Sequence, residues 1–425
     1  MRYVVSYLEL ADRTTPHEPK KYSRSMTQFV TGESPLVSKL VSNVQTNNKL
    51  FQRIRSAYPP SKSNFSVNNP NTGAHVIDLP TDTTESTNEK ISKISSAFKP
   101  WSKLTNKQRA DIIRNFGVKI QEHQKDLAEL LSVENGKPLA ESMVEVGYGP
   151  NAANWFAAEA QREYGQVIPS AQPGRKWITT KEPVGPCAMI TPWNFPSSMI
   201  TRKAIPALAA GCTVVLKPAE LTPLSALGLK IVANDAGIPD DAFQIVLSSH
   251  ENVKDVGLAM TTNEAIKAVS FTGSTGVGKI LLQQAASNVR KSCMELGGLA
   301  PFIVAKSANL KNAVEGVLNG KFRGQGQVCI APQRILVNEE VYDQFVAILK
   351  ARMEEKLVFG PQEDRKTTMG PLISKAGIDN VAAQVDDAVA KGATVVLGGN
   401  RCDDLGPLWH EPTRKYFCAK KIDIS

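Results

Sequence analysis

The stretch CAMITPWNFPSSMITRKAIPALAAGCTVVLK, residues 187–217, predicts a strand, a helix and a second strand in succession. Two short apolar runs, 187–190 and 213–216, enclose a helix-forming segment at about 201–210. Short buried strands that alternate with helices are typical of parallel βαβ units, because a parallel pair of strands needs a long crossover connection. The stretch therefore predicts an α/β fold built on a parallel, doubly wound sheet.

The same alternation continues along the chain. A helix at about 223–236 and strands at 243–247 and 268–271 extend the first pattern into a Rossmann-type cofactor domain. A second α/β pattern follows Gly298, with strands at about 301–305, 334–338 and 393–397 and helices at about 310–318, 340–355 and 374–391. We divide the chain into a leader at 1–62, a cofactor-binding domain with an N-terminal helical layer at 63–296, a second α/β domain at 297–413 and an unplaced tail at 414–425.

Composition and charge indicate a soluble globular protein. Of the 425 residues 42% are hydrophobic and 21% are charged, and no apolar run approaches the roughly 18 residues of a membrane span. Residues 1–62 hold ten Lys/Arg and four Asp/Glu, so they carry most of the net charge of +9 and the remainder is close to neutral. We therefore predict neither a nucleic-acid partner nor a membrane partner. The six cysteines have no CxxC or zinc spacing, which predicts neither a metal site nor a disulfide scaffold.

The basic N-terminal segment has the composition of a leader. It is rich in Ser, Thr, Asn and Gln, and between Met26 and Lys62 its one acid is Glu33. Such a composition suits a mitochondrial transit peptide, with a short amphipathic helix at 36–41. A disordered leader explains this composition equally well. So does a protein whose translation starts at Met26, because the residues before Met26 would then not belong to it. The predicted location is mitochondrial or cytoplasmic.

Two motifs follow predicted strands, at the edge where ligands bind in doubly wound sheets. In the first, at 191–196, the Asn194 amide is placed to donate to a developing oxyanion, although an asparagine that stabilises a proline-flanked turn is the alternative. In the second, Lys217 suits a ribose hydroxyl and Glu220 suits a ribose diol. A carboxylate at Glu220 repels a 2′-phosphate, so the motif favours NAD over NADP. A surface ion pair is the alternative.

A third motif, FTGSTGVGK at 271–279, places glycines between a strand and a helix. Small residues there let a phosphate reach the backbone N–H groups at the helix start. The spacing is not the usual GxGxxG. It does fit GxxxxGK, but Ile280 follows where a P-loop needs Ser or Thr for Mg²⁺. A nucleotide triphosphatase is therefore not indicated.

Cys329 and Glu295 supply a candidate nucleophile and base. Cys329 ends the run GQVC, and Glu295 begins the run ELGG thirty-four residues earlier. A free thiol is mostly protonated at neutral pH, so catalysis needs a group that takes its proton or activates water. A small buried hydrophobic cysteine is the alternative. None of the five histidines lies in a motif, which argues against a thiol hydrolase with a histidine base.

Taken together in this order, the motifs resemble the aldehyde dehydrogenase family. The resemblance covers roughly 69–399 and rests on PWNFP, FTGS, ELGG and GQVC. It implies oxidation of an aldehyde to an acid with NAD or NADP, through a thiohemiacetal and a thioester on Cys329. By this resemblance Glu295 is the base, and Asn194 and the Cys329 N–H are the oxyanion donors. It assigns to the cofactor Thr191, Pro192, Trp193, Lys217, Glu220, Gly273, Ser274, Gly278 and Leu296.

Within the family, the succinate-semialdehyde dehydrogenase branch is the most similar. Arg202 and Arg323 match the two arginines that bind the substrate carboxylate in that branch, and an arginine fork suits a carboxylate. A structural ion pair is the alternative for each. The branch often has a second, redox-active cysteine two residues after the nucleophile, and here that position is Ala331. The pair Gly324-Gln325 also departs from the branch pattern, so the exact aldehyde is left open.

The family pattern ends early in this sequence. The run RKYFCAKK at 414–421 matches no part of it, and the family's later Glu-Phe-Gly-Pro-type run, its last catalytic strands and its interface strand do not follow. We therefore expect an incomplete catalytic domain at 297–413 and leave the oligomeric state open, although the family forms homo-oligomers. The alternatives to an active succinate-semialdehyde enzyme are an inactive truncated fragment and a dehydrogenase for another aldehyde, such as an aminoaldehyde.

Overall fold

The computed structural model describes residues 2–5, 39–412 and 414–416. The strands are β1 (Arg2–Val5), β2 (Asn64–Asn68), β3 (His75–Pro80), β4 (Gln166–Pro169), β5 (Lys176–Thr179), β6 (Cys187–Ile190), β7 (Val214–Lys217), β8 (Phe243–Ile245), β9 (Ala268–Gly273), β10 (Lys291–Leu296), β11 (Pro301–Val304), β12 (Arg334–Val337), β13 (Thr394–Leu397) and β14 (Arg414–Tyr416). The helices are α1 (Leu40–Asn47), α2 (Lys49–Ala57), α3 (Thr84–Ser102), α4 (Asn106–Glu122), α5 (Gln124–Asn135), α6 (Leu139–Val146), α7 (Tyr148–Ala160), α8 (Pro196–Ala209), α9 (Leu224–Asp235), α10 (Val253–Thr262), α11 (Thr275–Ala286), α12 (Leu310–Lys321), α13 (Tyr342–Lys356) and α14 (Lys375–Ala390).

Five parallel strands form the main sheet, in the order β10-β9-β6-β7-β8. The chain proceeds from β6 to β8 in one direction and then returns with β9 to the other side of β6. The strand order therefore reverses between β6 and β9. In a doubly wound sheet the ligand crevice lies at the carboxyl ends of the strands at such a reversal. The α/β fold with a parallel sheet, predicted from residues 187–217, is confirmed.

Helices cover this sheet and complete its core. Every residue of β7 is buried, as expected for a strand that is covered on both faces. The first ten residues of α9 are all buried. At the end of α3, Trp101 is 2% exposed, and its indole N–H donates to the carbonyl of Leu208 in α8 at 3.0 Å. Gly136 ends α5 with a φ of 88°, the left-handed C-cap that the sequence predicts at this position.

A smaller sheet has the order β1-β12-β11. Strands β11 and β12 are parallel, whereas β1 is antiparallel to β12. Apolar residues of α12 and α13 pack with this sheet in a cluster of their own, separate from the core of the larger sheet. The cluster includes Trp409, which is 0% exposed and meets the Phe359 ring edge to face at 5.5 Å.

The prediction of disorder over 1–62 is wrong for the parts that the structure describes, whereas the transit segment stays a prediction. Residues 2–5 form β1, and α1 and α2 bury their apolar faces, with Leu50 and Ile54 at 0% exposure. Their apolar residues recur at helical spacing, so packing against α5 and α9 stabilises both helices. The helix predicted at 36–41 begins instead at Leu40, and residues 36–38 lie outside the described part.

The tail predicted as unplaced begins with a strand. Residues 414–416 form β14, which pairs antiparallel with β13. Residues 417–425 lie outside the described part. Among the described residues, no helix combines the length and the hydropathy needed to cross a membrane.

Candidate active site

The carboxyl ends of β6 and β7 bring the first two motifs together. Thr191 follows β6, and its N–H donates to the carbonyl of Lys217 at 3.0 Å. The Thr191 hydroxyl is buried without a hydrogen-bond partner in the described part of the chain. Lys217 is 3% exposed, and its ammonium donates to the carbonyl of Pro218 at 3.1 Å. Both side chains therefore keep unused hydrogen-bond donors at the crevice.

The surface ion pair considered for Lys217 is wrong, because Lys217 is buried. Burial lowers the pKa of Lys217, and the half-buried carboxylate of Glu220 raises it. A buried ammonium group costs free energy unless acceptors surround it. Lys217 therefore needs acceptors beyond the single carbonyl oxygen that it contacts.

Close packing explains why the third motif has a glycine at position 278. A Cβ on Gly278 would lie 2.6 Å from Cδ2 of Leu296, so the two predicted cofactor residues are in direct contact. Gly273 ends β9, and Ser274 caps α11 by accepting the Val277 N–H at 3.4 Å. The start of α11 therefore lies at the carboxyl edge of the sheet, where a helix N-terminus favours an anion.

Asn194 links the turn after β6 to the loop that carries Cys329. Its Nδ2 donates to the carbonyl of Gln327 at 2.9 Å, and its Oδ1 accepts the Phe195 N–H at 3.0 Å. The bond to Phe195 stabilises the turn, as the alternative interpretation expected. The bond to Gln327 joins segments 133 residues apart, which a turn alone does not require.

The loop before Cys329 has a strained backbone. Gly324 and Gln325 both have a φ of 56°, a left-handed value that a glutamine rarely adopts. The Gly324 N–H donates to Oε2 of Glu141 in α6 at 3.3 Å. Burial raises the pKa of Glu141, whereas Lys137 and the Gly324 N–H lower it. Contacts from other elements therefore hold the loop in its conformation.

Cys329 and Glu295 are both exposed, Cys329 after the loop and Glu295 on β10. The alternative of a small buried cysteine is therefore wrong for Cys329. In the described residues no hydrogen bond joins the two side chains. Lys203 of α8 lies near Glu295: burial lowers the pKa of Lys203, and Cys293 and Glu295 raise it. The Lys203 ammonium donates to Oγ of Ser270 on β9 at 2.7 Å.

The two candidate carboxylate-binding arginines have different surroundings. The Arg323 guanidinium lies 4.9 Å from the Phe195 ring centroid and 5.7 Å from the Tyr148 ring centroid. Its Nε is 3.7 Å from Oε1 of Glu141, so the structural ion pair considered for Arg323 is present. Arg202, on α8, is exposed and has no ion pair or hydrogen bond within residues 39–412.

A buried ion pair beneath the turn was missed by the sequence reasoning. Lys137 and Glu145 have side-chain exposures of 1% and 0%, and their Nζ and Oε2 atoms are 2.6 Å apart. Lys137 also donates to the carbonyl of Asn194 at 2.8 Å. Glu145 Oε1 accepts the N–H groups of Ser197 and Ser198 at the start of α8, at 3.0 and 3.2 Å. The sequence did contain a signal for this pair. Lys137 lies in the turn that ends a predicted helix, and Glu141 and Glu145 follow it four and eight residues later.

A surface pocket of 560 Å³ lies elsewhere, between α3 and α10. Its lining includes Asn88, Asp255 and Asn263, and none of the site residues predicted from the sequence contributes to it. The motif residues instead form an open edge along the sheet. No group of three or more metal-binding side chains occurs among the described residues.

Comparison with known proteins identifies the family to which this arrangement of motifs belongs. The model of the aldehyde dehydrogenase family matches residues 58–423. The chain belongs to the aldehyde dehydrogenase family. The match extends past the range of 69–399 predicted from the motifs, so the prediction that 414–421 matches no part of the family is wrong.

Two curated relatives in this family have similar identities to the chain. Mitochondrial succinate-semialdehyde dehydrogenase of Homo sapiens is 43% identical over 354 residues, which is 83% of the chain and 66% of that protein. 3-Sulfolactaldehyde dehydrogenase of Pseudomonas putida is 44% identical over 353 residues, 83% of the chain and 72% of that protein. The chain thus spans slightly less than two thirds of the length of the human relative.

Solved structures of aldehyde dehydrogenases share the fold. Succinate-semialdehyde dehydrogenase from Burkholderia pseudomallei superimposes with a TM-score of 0.80 and 41% identity, covering 83% of the chain and 72% of that structure. Betaine aldehyde dehydrogenase from Staphylococcus aureus, solved in complex with NAD⁺, gives a TM-score of 0.79 and 35% identity, covering 83% and 70%. The α/β architecture described above is therefore that of the aldehyde dehydrogenase family.

Proposed function

We propose that this chain oxidises an aldehyde to an acid with a nicotinamide cofactor, with Cys329 as the nucleophile. One observation carries the proposal: the Asn194 amide, at the carboxyl end of β6, donates to Gln327 in the loop that ends at Cys329. This bond connects the predicted cofactor edge to the predicted nucleophile. The exposed Cys329 thiol is open to a substrate from solvent.

The cofactor site is proposed at the crevice between β6 and β9. The unpartnered Thr191 hydroxyl and the buried Lys217 ammonium fit a ligand rich in oxygen acceptors. Glu220 would accept from a ribose diol, which favours NAD over NADP. Ser274 would present the N-terminus of α11 to the phosphates. The remaining proposed contacts are Pro192, Trp193, Gly273, Gly278 and Leu296.

The proposed catalysis is covalent and uses three side chains. The Cys329 thiolate attacks the aldehyde carbon, and the Asn194 amide with the Cys329 N–H stabilises the oxyanion of the thiohemiacetal. A bound nicotinamide would supply the hydride acceptor. Glu295 then takes a proton from the water that hydrolyses the thioester on Cys329 and releases the acid.

A short aldehyde with an anionic far end is the proposed substrate, with succinate semialdehyde preferred. Arg202 is exposed without an ion partner in the described residues, so its guanidinium is free to bind a carboxylate. The relatives named above act, by their names, on succinate semialdehyde and on 3-sulfolactaldehyde, and each of these carries an acidic group. An aldehyde of another class is the alternative, because the betaine aldehyde enzyme shares the fold.

The purified chain is expected to reduce NAD⁺ when succinate semialdehyde is added, and to form one succinate for each NADH. The reduction should be faster with NAD⁺ than with NADP⁺, because Glu220 repels a 2′-phosphate. Absorbance of the reduced cofactor and chromatography of the acid measure both products. Folded protein that reduces neither cofactor with any aldehyde would instead support the inactive alternative.

Replacing Arg202 by alanine is expected to raise KM for succinate semialdehyde by roughly 10- to 100-fold, the usual worth of a charge-assisted hydrogen bond. KM for an uncharged aldehyde of similar length should stay within about twofold, because that substrate makes no bond to the guanidinium. Arg114→Ala, which removes an exposed arginine paired with Asp111 in α4, is the control. Equal rises in KM for both aldehydes would refute the carboxylate-binding role.

We also propose three further properties of the chain. These are the domain division at 63–296 and 297–413, a mitochondrial or cytoplasmic location, and a homo-oligomeric state. The separate apolar clusters of the two sheets support the division. The mitochondrial location given in the name of the human relative supports the first location.

A further inference from the structure

Two thiols meet at the amino ends of β6 and β7, the edge opposite to the candidate active site. Cys187 begins β6 and Cys212 precedes β7, with exposures of 6% and 4%. The Cys187 N–H donates to the carbonyl of Thr213 at 2.8 Å, which holds the two segments side by side. The Cys187 thiol donates to the carbonyl of Gly185 at 3.4 Å and lies beside the Cys212 thiol. They are therefore a contacting pair rather than two separate buried cysteines.

The surroundings of the pair favour a negative charge on Cys212. Around its sulfur lie the Cys187 thiol, the backbone N–H groups of Gly185 and Val184, and the Arg109 guanidinium. The neighbouring Cys187 thiol lowers the pKa of Cys212, as do the two N–H groups and Arg109, whereas burial raises it. The neighbouring Cys212 thiol and burial raise the pKa of Cys187. Of the two, Cys212 therefore loses its proton more readily than Cys187.

Hydrogen bonds hold the Arg109 side chain in place near Cys212. Its Nε donates to the carbonyl of Ala209 at 3.0 Å, and its Nη2 donates to Oδ1 of Asn106 at 2.6 Å. A Cβ on Gly211, whose φ is 92°, would lie 3.4 Å from the Arg109 Cζ, so the guanidinium packs against the turn that leads to Cys212. Arg109 forms no ion pair with a carboxylate in residues 39–412. Its charge is therefore available to the thiolate.

A thiolate beside an arginine, with a second thiol in contact, is the arrangement of a reactive cysteine and its resolving partner. We propose that Cys187 and Cys212 form a redox-active dithiol that a peroxide oxidises to an intramolecular disulfide. The Cys212 thiolate attacks one peroxide oxygen, the O–O bond breaks, and the departing oxygen leaves as water after protonation. The Cys187 sulfur then attacks the Cys212 sulfenic acid and releases a second water. In sum, two thiols lose two electrons and two protons, and hydrogen peroxide becomes two waters.

Cys402 provides a matched control within the same chain. It is also buried, at 4% exposure, but burial and the nearby acids Glu411, Asp404 and Asp403 raise its pKa to about 12. It should therefore stay a thiol under conditions that oxidise the pair. Cys329 and Cys293 are exposed, and peptide-level detection separates their oxidation from that of the pair.

The test treats the folded, full chain with a small excess of hydrogen peroxide, blocks the remaining thiols by alkylation after denaturation, and identifies peptides by mass spectrometry without reduction. We expect a peptide pair linked through Cys187 and Cys212, lost on reduction with dithiothreitol, while Cys402 is fully alkylated. Recovery of both Cys187 and Cys212 as alkylated thiols under conditions that oxidise the exposed Cys329 would overturn the proposal.

A variant gives an independent readout of the order of the two steps. In Cys187→Ser the resolving thiol is absent, so peroxide should leave Cys212 as a sulfenic acid that a dimedone probe labels. In the unmodified chain the same probe should label Cys212 only weakly, because Cys187 resolves it. Equal labelling of Cys212 in the two proteins, with no linked peptide in the unmodified chain, would contradict the assignment of Cys187.

Discussion

Replacing Cys329 by serine is expected to lower kcat/KM for aldehyde oxidation by roughly 10⁴- to 10⁶-fold, the usual loss when a covalent nucleophile is removed. A serine hydroxyl stays protonated at neutral pH, and no base contacts this position in the described residues. The thiohemiacetal and the thioester would therefore not form. Stopped assays at high enzyme concentration measure the residual rate, and circular dichroism checks that the fold is retained.

Cys293→Ser is the matched control, because Cys293 is also an exposed free thiol and it lies two residues from Glu295 on β10. Its activity should stay within about threefold of the unmodified chain, since no step of the proposed chemistry uses that sulfur. Loss of activity in Cys293→Ser with retention in Cys329→Ser would move the nucleophile to β10 and contradict the account.

Replacing Lys137 by methionine is expected to lower the free energy of unfolding by about 3–5 kcal/mol, the typical result when one partner of a buried ion pair is removed. Glu145 is 0% exposed and would lose the ammonium that lies 2.6 Å from its Oε2. The carbonyl of Asn194 would lose a donor at 2.8 Å. Urea denaturation followed by fluorescence measures the change. The variant should also lose aldehyde oxidation, because Asn194 would be held less firmly.

Lys107→Met is the control for this effect. The Lys107 and Asp111 side chains are 75% and 49% exposed and their Nζ and Oδ2 atoms are 2.6 Å apart, so the same substitution removes a surface pair. Such pairs contribute about 0–1 kcal/mol. If Lys137→Met and Lys107→Met destabilise the chain equally, the buried ion pair does not stabilise the turn at Asn194.

Local sequence signals predicted the central part of the fold well. The strand predicted at 187–190 matches β6, and those predicted at 213–216 and 268–271 lie within two residues of β7 and β9. These strands are short apolar runs between turn residues, so their limits are encoded locally. The left-handed glycine at Gly136 was predictable for the same reason, because only glycine adopts that φ without strain.

Contacts between distant segments could not be predicted in this way. The bond from Asn194 to Gln327 and the bond from the Ile373 N–H to Oε1 of Gln327, at 3.2 Å, join segments that no local pattern relates. The role of Lys137 was hidden for the same reason, because its partners Glu145 and Asn194 lie on other elements.

The prediction of a disordered leader failed at residues 40–57 because we gave average composition more weight than the spacing of the apolar residues. The segment at 40–57 is polar and basic on average, which suits a leader, but Leu50 and Ile54 recur four residues apart and bury one face of α2. A helix needs only that face to be apolar in order to pack, so average composition does not distinguish such a helix from a leader.

Trapping the thioester tests the central claim most directly. A Glu295→Gln chain, in which the proposed water-activating base is absent, is mixed with NAD⁺ and succinate semialdehyde, quenched in acid and digested. The account predicts a burst of about one NADH per chain and a succinyl group on the peptide that contains Cys329, because hydrolysis has become the slow step. A burst with an unmodified Cys329, or a succinyl group on Cys293 instead, would contradict it.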